Sequence, residues 1–206
     1  MYLIGYDLGS SSIKASLIDI RSGRSLITSH YPKEEMPISA PRSGWAEQDP
    51  EMWWKNLKQA THDILKSYDE KKIKAIGISY QMHGLVAIDK NKKPLRPSII
   101  WCDSRAISYG EQALNNISKE KCLSRHLNSP GNFTASKLKW IQEKEPQIYQ
   151  KIWKIMLPGD YIVMKLTGEV TTTITGLSEG IMWDYSTNKP SEIIMKEYGF
   201  EKSFIP

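Results

Sequence analysis

The chain has 206 residues, 40% of them apolar, and a net charge of 28 − 23 = +5, which fits one large globular domain, or one and a half small ones, with a real core. Its basic residues are scattered apart from a short cluster at 90–93 that reads as a solvated turn, so nucleic-acid binding is not expected. Two cysteines, Cys102 and Cys122, in no metal-ligand spacing predict a reducing cytoplasm, and with no basic leader and no apolar run near ~18 residues, neither export nor membrane insertion is expected.

Taken in chain order, residues 2–6 and 13–20 read as strands separated by a short turn at 7–12. A second hairpin turn, Arg21-Ser22-Gly23-Arg24, leads to a third strand at 25–30, so the chain opens as an antiparallel meander. Residues 37–49 form a loop ending at Asp49, a natural N-cap with Pro50 at the first helical position. Trp53, Leu57, Ala60, Ile64 and Tyr68 then recur at helical spacing. A strong strand follows at 73–79, a loop at 80–84, a strand at 85–89, a turn at 90–93 and a short strand at 98–101. Beyond Arg105 the pattern turns mainly helical, with Thr134 as a cap, a strand at 152–157 and a helix at 160–166. Strands, helix, strand, then helices predict an α/β or α+β layered fold.

Three clusters carry chemistry. The first is the turn Asp7-Leu8-Gly9-Ser10-Ser11-Ser12 with Lys14 just beyond it. Gly9 permits close backbone approach, successive N–H groups form an anion-binding concavity, and the three hydroxyls and Lys14 can reach phosphate oxygens. Asp7 would repel a phosphate unless Mg²⁺ lay between them. A polar hairpin with an Asx-type turn explains the same residues. The second cluster, Gln81-Met82-His83-Gly84, follows a strand, where polar groups commonly line a ligand crevice. Gln81 and His83 can hydrogen-bond sugar hydroxyls while Met82 packs on a carbon face; a histidine satisfied within its own turn is the plainer alternative. In the third, Trp101-Cys102-Asp103-Ser104-Arg105, Asp103 can accept from hydroxyls with Arg105 holding it, or the two form a surface ion pair worth under ~1 kcal/mol.

The first turn is not a Walker A loop, because no Gly-Lys-Ser/Thr helix start follows it. An Asp-x-Gly-Ser/Thr-x-x-x-Lys turn between antiparallel strands resembles instead the first phosphate motif of the ribonuclease H-like superfamily of sugar kinases, actins and heat-shock ATPases. With Trp-Ala-Glu-Gln-Asp-Pro-Glu-Met-Trp-Trp (residues 45–54), Gln-Met-His-Gly (81–84), Trp-Cys-Asp-Ser-Arg (101–105), Asn-Phe-Thr-Ala-Ser-Lys-Leu (132–138), Leu-Pro-Gly-Asp-Tyr (157–161) and Thr-Gly-Glu (167–169), the chain resembles the FGGY carbohydrate kinases, and within them the xylulokinases, nearly end to end.

That resemblance implies an α/β, ribonuclease H-like mixed sheet flanked by helices. It implies ATP and Mg²⁺ as cofactors and phosphorylation of a ketose, D-xylulose first, with L-ribulose, gluconate and glycerol as competing substrates. Asp7 would organise the metal and the transferring phosphate. Gly9, Ser10, Ser11, Ser12 and Lys14 would face the ATP phosphates, and Gln81, Met82, His83, Asp103 and Arg105 the sugar. Residues 45–54 read as a loop packed onto a helix and are left outside the site, and Asn132 is given no role. In the family the catalytic aspartate lies in a Gly-rich segment, and none is found before Pro206. The chain is therefore expected to be a first domain whose base and adenine-binding partner domain lie beyond it, inactive alone, with a homodimer among the expectations for the full-length enzyme. A sugar sensor or an actin-like assembly module is the alternative from another class.

Overall fold

The computed structural model describes residues 1–206. Alternation sets the first layer: Ile4, Tyr6 and Leu8 of β1 (Tyr2–Leu8) and Ile13, Ala15 and Leu17 of β2 (Ile13–Asp19) all bury on one side. β3 (Ser25–Tyr31) completes the antiparallel meander. Its turn is fastened by the Asp19 carboxylate, which accepts from the Ser22 hydroxyl at 2.9 Å.

A two-residue strand, β4 (Glu47–Gln48), precedes α1 (Pro50–Leu65). Asp49 caps α1 as expected, accepting from the Glu51 N–H at 2.9 Å. Trp53, Leu57, Ala60 and Ile64 form the buried stripe of α1, which lies over β2 and β3. β5 (Ile73–Tyr80) then returns parallel to β1, giving the mixed sheet order β3-β2-β1-β5.

The second half is built around a short ribbon. β6 (Val86–Ile88) precedes β7 (Ser98–Ile99), which pairs antiparallel with β4. Residues 37–49 read as loop in the sequence because two residues are too few to show alternation; only the partner at Ser98 and Ile99 makes Glu47 and Gln48 a strand. Next come α2 (Ile107–Ile117), α3 (Lys119–His126), α4 (Thr134–Lys144) and the single turn α5 (Pro146–Tyr149). β8 (Lys154–Met156) pairs antiparallel with β6. Val86, Ile88 and Met156 face the core under the main sheet, while Ala87 and Ile155 face a second core among the helices. A period-2 ribbon thus serves two cores at once, which is why every residue of β6 is buried. The chain finishes with α6 (Pro158–Thr167), α7 (Ile174–Glu179), the ribbon β9 (Trp183–Asp184) with β10 (Lys189–Pro190), and α8 (Glu192–Tyr198). No helix is long and apolar enough to cross a membrane.

Thr134 is a correction. Phe133, not Thr134, is the N-cap of α4 and makes no side-chain cap; Thr134 is the first helical residue, buried, with its hydroxyl donating to the Gly84 carbonyl at 3.4 Å. A distant loop claims the oxygen that local pattern assigned to capping.

Helix α2 meets the 131 loop so closely that a Cβ on Gly110 would lie 1.8 Å from the Gly131 carbonyl oxygen. Alanine ordinarily stabilises a helix interior by about 1 kcal/mol over glycine. Here Gly110→Ala is expected to destabilise by about 1–3 kcal/mol through overpacking, read as a lower urea midpoint; a raised midpoint would show that α2 is not packed there.

Candidate active site

The parallel register of β1 and β5 sets Asp7 opposite Ser79 and Leu8 opposite Tyr80, so the two strands end level. The 7–12 turn and the 81–84 loop therefore leave from adjacent strand ends, the usual place for a ligand crevice. The Gln81 N–H extends the ladder one rung, donating to the Leu8 carbonyl at 2.8 Å. Side-chain alternation puts Asp7 on the face away from α1, beside its register partner Lys14, with Nζ 3.7 Å from Oδ2 and both side chains about half exposed. Gly5 and Gly77, paired on the same face, continue it as a bare strip where an added Cβ would meet nothing.

Within the turn, the Gly9 N–H donates to the Ser12 carbonyl at 3.1 Å, and the Ser11 carbonyl accepts from Met36 N–H at 2.8 Å. These bonds fix the backbone while Ser11 stays exposed and Ser10 and Ser12 half-buried. Asp7 is the turn's only carboxylate, and no group of three His, Cys, Asp or Glu side chains stands ready as a metal cage. That donor set fits Mg²⁺ arriving with phosphate oxygens, which usually needs one or two protein carboxylates, and does not fit a dedicated protein metal centre.

Gln48 ties the loops together. It is 2% exposed. Its amide nitrogen donates to the Ser10 carbonyl at 2.6 Å, and its oxygen accepts from the Trp53 indole at 3.1 Å and the Gln81 amide at 3.4 Å. Trp101, half exposed in the third loop, points its indole N–H at the Ser10 hydroxyl 3.4 Å away. All three sequence clusters thus meet at one end of the sheet.

In the second loop Met82 is exposed and His83 adopts φ +58°, the left-handed region. Its N–H donates to Glu179 at the end of α7, its carbonyl accepts from Lys137 Nζ of α4 at 2.8 Å, and its ring stands edge-on to Phe133 with centroids 4.2 Å apart. Burial, and then the Lys137 charge, push the His83 pKa down to about 4, so the ring is neutral near pH 7 and its closeness to Glu179 is not an ion pair. Burial also pushes the Lys137 ammonium down to about 8 and raises the Glu179 carboxyl. Gly84 fits beneath α6, where a Cβ would touch the Pro158 ring at 2.6 Å.

Asp103 and Arg105 differ most from their sequence expectation. They are not a surface pair: Asp103 has no exposed surface and the Arg105 side chain 1%. The Asp103 carboxylate accepts from Ala46 N–H at 2.6 Å and from Arg105 through its backbone N–H, Nε and Nη2. Arg105 also reaches Glu47 at 2.7 Å and stacks on Trp45, its guanidinium carbon 3.8 Å from the ring centroid. Glu47 and Glu145 in turn hold Arg96. Both side chains are packed inside the protein, where they brace the loop that carries Trp101. Removing one partner of such a buried pair costs about 3–5 kcal/mol. Asn132 joins the same brace, its amide donating to the Asp103 carbonyl.

Sequence reasoning missed Gln48, Trp101, Lys137 and Glu179. Lys137 had a signal: it sits four residues before buried Ile141 and three before Trp140, a charge in the phase of an apolar stripe. Trp101 and Gln48 stood inside quoted motifs without a role, and Glu179 carried no local signal at all.

Comparison with known proteins gives these loops a context. Residues 2–206 match the family profile described as "FGGY family of carbohydrate kinases, N-terminal domain". The chain is 34% identical over 206 residues to a xylulose kinase of Staphylococcus xylosus, covering 100% of this chain and 42% of that protein. Among solved structures, it superposes on a xylulose kinase from Rhodospirillum rubrum with TM-score 0.89 at 26% identity, and on a gluconate kinase from Lactobacillus acidophilus with TM-score 0.89 at 25% identity. Each alignment covers 100% of this chain but 42% and 41% of those chains, so the sequence spans about two fifths of its relatives' length.

One buried carboxylate beside the site has a measurable signature. Asp160, 6% exposed at the start of α6, accepts from Leu157 N–H and the Thr172 hydroxyl, and burial lifts its pKa from 3.8 to about 6. The native state therefore binds more protons than the unfolded chain between about pH 4 and 6, and stability falls as pH rises through that window. At 1.36 kcal/mol per pKa unit the loss is about 3 kcal/mol. Asp160→Asn is expected to lack that slope, its urea stability gaining on wild type from pH 4 to 6; parallel profiles would refute a raised Asp160.

Proposed function

Because the chain belongs to the FGGY family of carbohydrate kinases, as the family's N-terminal domain, we propose that it is the sugar-binding half of an ATP-dependent kinase that phosphorylates the 5-hydroxyl of D-xylulose. One observation carries this reading. The half-exposed Asp7–Lys14 turn and the Met82–His83 loop leave adjacent strand ends and are tied through Gln48. A donor phosphate and an acceptor hydroxyl could be held side by side there. The xylulose kinase relatives favour a ketose over gluconate, and a cytoplasmic setting follows from the same reading.

Phosphoryl transfer asks mainly for positioning and charge stabilisation. Backbone N–H groups of residues 10–12, the Ser10, Ser11 and Ser12 hydroxyls and Lys14 face the phosphates. Asp7 would hold a Mg²⁺ ion, which would supply neutralisation of the charge that develops on the phosphate. Gln81, Met82 and His83 hold the ketose, and Asp103 with Arg105 braces the loop that carries Trp101. Of the two carboxylates in the loops, Asp7 is given to the metal and Asp103 is buried against Arg105. We therefore assign the general base, which accepts the hydroxyl proton, to a segment outside this chain. A polar sugar site discriminates well, because an analogue lacking one hydroxyl leaves buried groups unpaired.

Coupled ADP release tests this. With D-xylulose and Mg·ATP, the 206-residue chain is expected to show no turnover; an ordinary ~10 s⁻¹ would place the base inside it. A full-length enzyme containing this chain should turn over D-xylulose in preference to L-ribulose, gluconate and glycerol. Asp7→Ala is expected to lower its kcat by roughly two to three orders of magnitude. Equal use of all four substrates would sink the ketose assignment.

A further inference from the structure

His83 holds a backbone conformation that non-glycine residues adopt at a cost of about 1–3 kcal/mol, so its surroundings must impose it. Two helices do. Glu179 takes the residue's N–H and Lys137 its carbonyl, while Phe133 supports the ring. The grip has a chemical consequence. Nδ1 has no accessible surface and no hydrogen-bond partner, and the group facing it is Glu179 Oε1 at 3.5 Å. The side chain as a whole keeps 24% of its surface, and Nε2 is on the accessible side, without a partner in the chain.

In a neutral imidazole one nitrogen carries the proton and the other a lone pair. Turning the Nδ1 lone pair toward a buried carboxylate oxygen is repulsive, whereas an Nδ1–H is attracted to it. We infer that Glu179 is a positioning residue that fixes His83 as the Nδ1–H tautomer, so that Nε2 meets the ligand as a hydrogen-bond acceptor. The ligand group opposite must then be a donor, a free hydroxyl. An ether oxygen or carbonyl at that position would face a lone pair and be rejected. Free histidine favours the other tautomer, with the proton on Nε2, so the assignment differs from the default. That the ligand is a ketose rests on the function proposed above; the tautomer does not.

The test is long-range ¹H–¹⁵N NMR of the imidazoles in the 206-residue chain, with the His83 signals assigned by their loss in His83→Gln. Wild type is expected to show Nδ1 protonated and Nε2 bare. In Glu179→Ala the proton should move to Nε2 with far-UV circular dichroism unchanged, while Glu179→Gln, whose carbonyl can still accept, should keep the Nδ1–H form. A wild-type Nε2–H tautomer, or a tautomer indifferent to Glu179→Ala, overturns the assignment. If the alanine variant does not fold, the wild-type spectrum alone decides. Calorimetry on the same samples should show D-xylulose binding about tenfold weaker in Glu179→Ala. No ketose binding in wild type with the expected tautomers would defeat the sugar reading and leave this one standing; binding together with an Nε2–H ring would do the reverse.

Discussion

The parallel pairing of β1 with β5 is the constraint on which the site depends. In register, it ends both strands at Leu8 and Tyr80, and chain geometry then leaves the two loops nowhere to go but side by side. A shift of one residue would turn Asp7 and Lys14 toward α1 and bury two charges against Trp53 and Leu57. The apolar set Ile4, Tyr6, Leu8, Ile13, Ala15 and Leu17 forbids that slip, because all six would have to leave the core together. The core under the sheet therefore aims the charged turn, even though it touches none of the turn's polar groups.

From that base, three helices and one glutamine hold the loops. Gln48 links the Ser10 carbonyl, the Gln81 amide and the Trp53 indole, so the seating of α1 in the core is transmitted to both loops. The 81–84 loop is gripped from α4 by Thr134 and Lys137, from α6 by Pro158 against Gly84, and from α7 by Glu179. An unsatisfied buried polar group costs about 1–3 kcal/mol, so each of these bonds also disfavours alternative loop shapes.

Charge is distributed in two regimes. Asp7 and Lys14 stay half exposed, in high dielectric, where a pair contributes little to stability and remains free to meet a ligand. Asp103, Arg105, Glu47, Arg96 and Glu145 are withdrawn beneath Trp45 and Trp140, where each charge needs its partners. The first set suits a ligand that comes and goes, and the second suits a brace that must not move.

Much of this was legible in the residues themselves. The meander, α1 with its Asp49 cap, β5 and the polar turn at Asp7 are local features, written in periods of 2 and 3.6 residues and in turn chemistry. The motifs carried the family. What local pattern could not carry was anything made by contact between distant segments. β4 exists only because Ser98 and Ile99 lie beside it, and Thr134 gives its hydroxyl to Gly84 instead of capping its helix. Asp103 and Arg105 looked like a surface pair because burial is decided by what folds over them, here Ala46, Trp45 and Trp140. Glu179 reaches His83 across 96 residues, a separation at which sequence spacing conveys no geometry. The sequence by itself determined the elements and the chemical inventory, since those follow from periodicity and residue type. Only the tertiary structure decided which charges are free, which are buried, and which groups grip the histidine, because solvent exposure and long-range hydrogen bonds are properties of the packed chain.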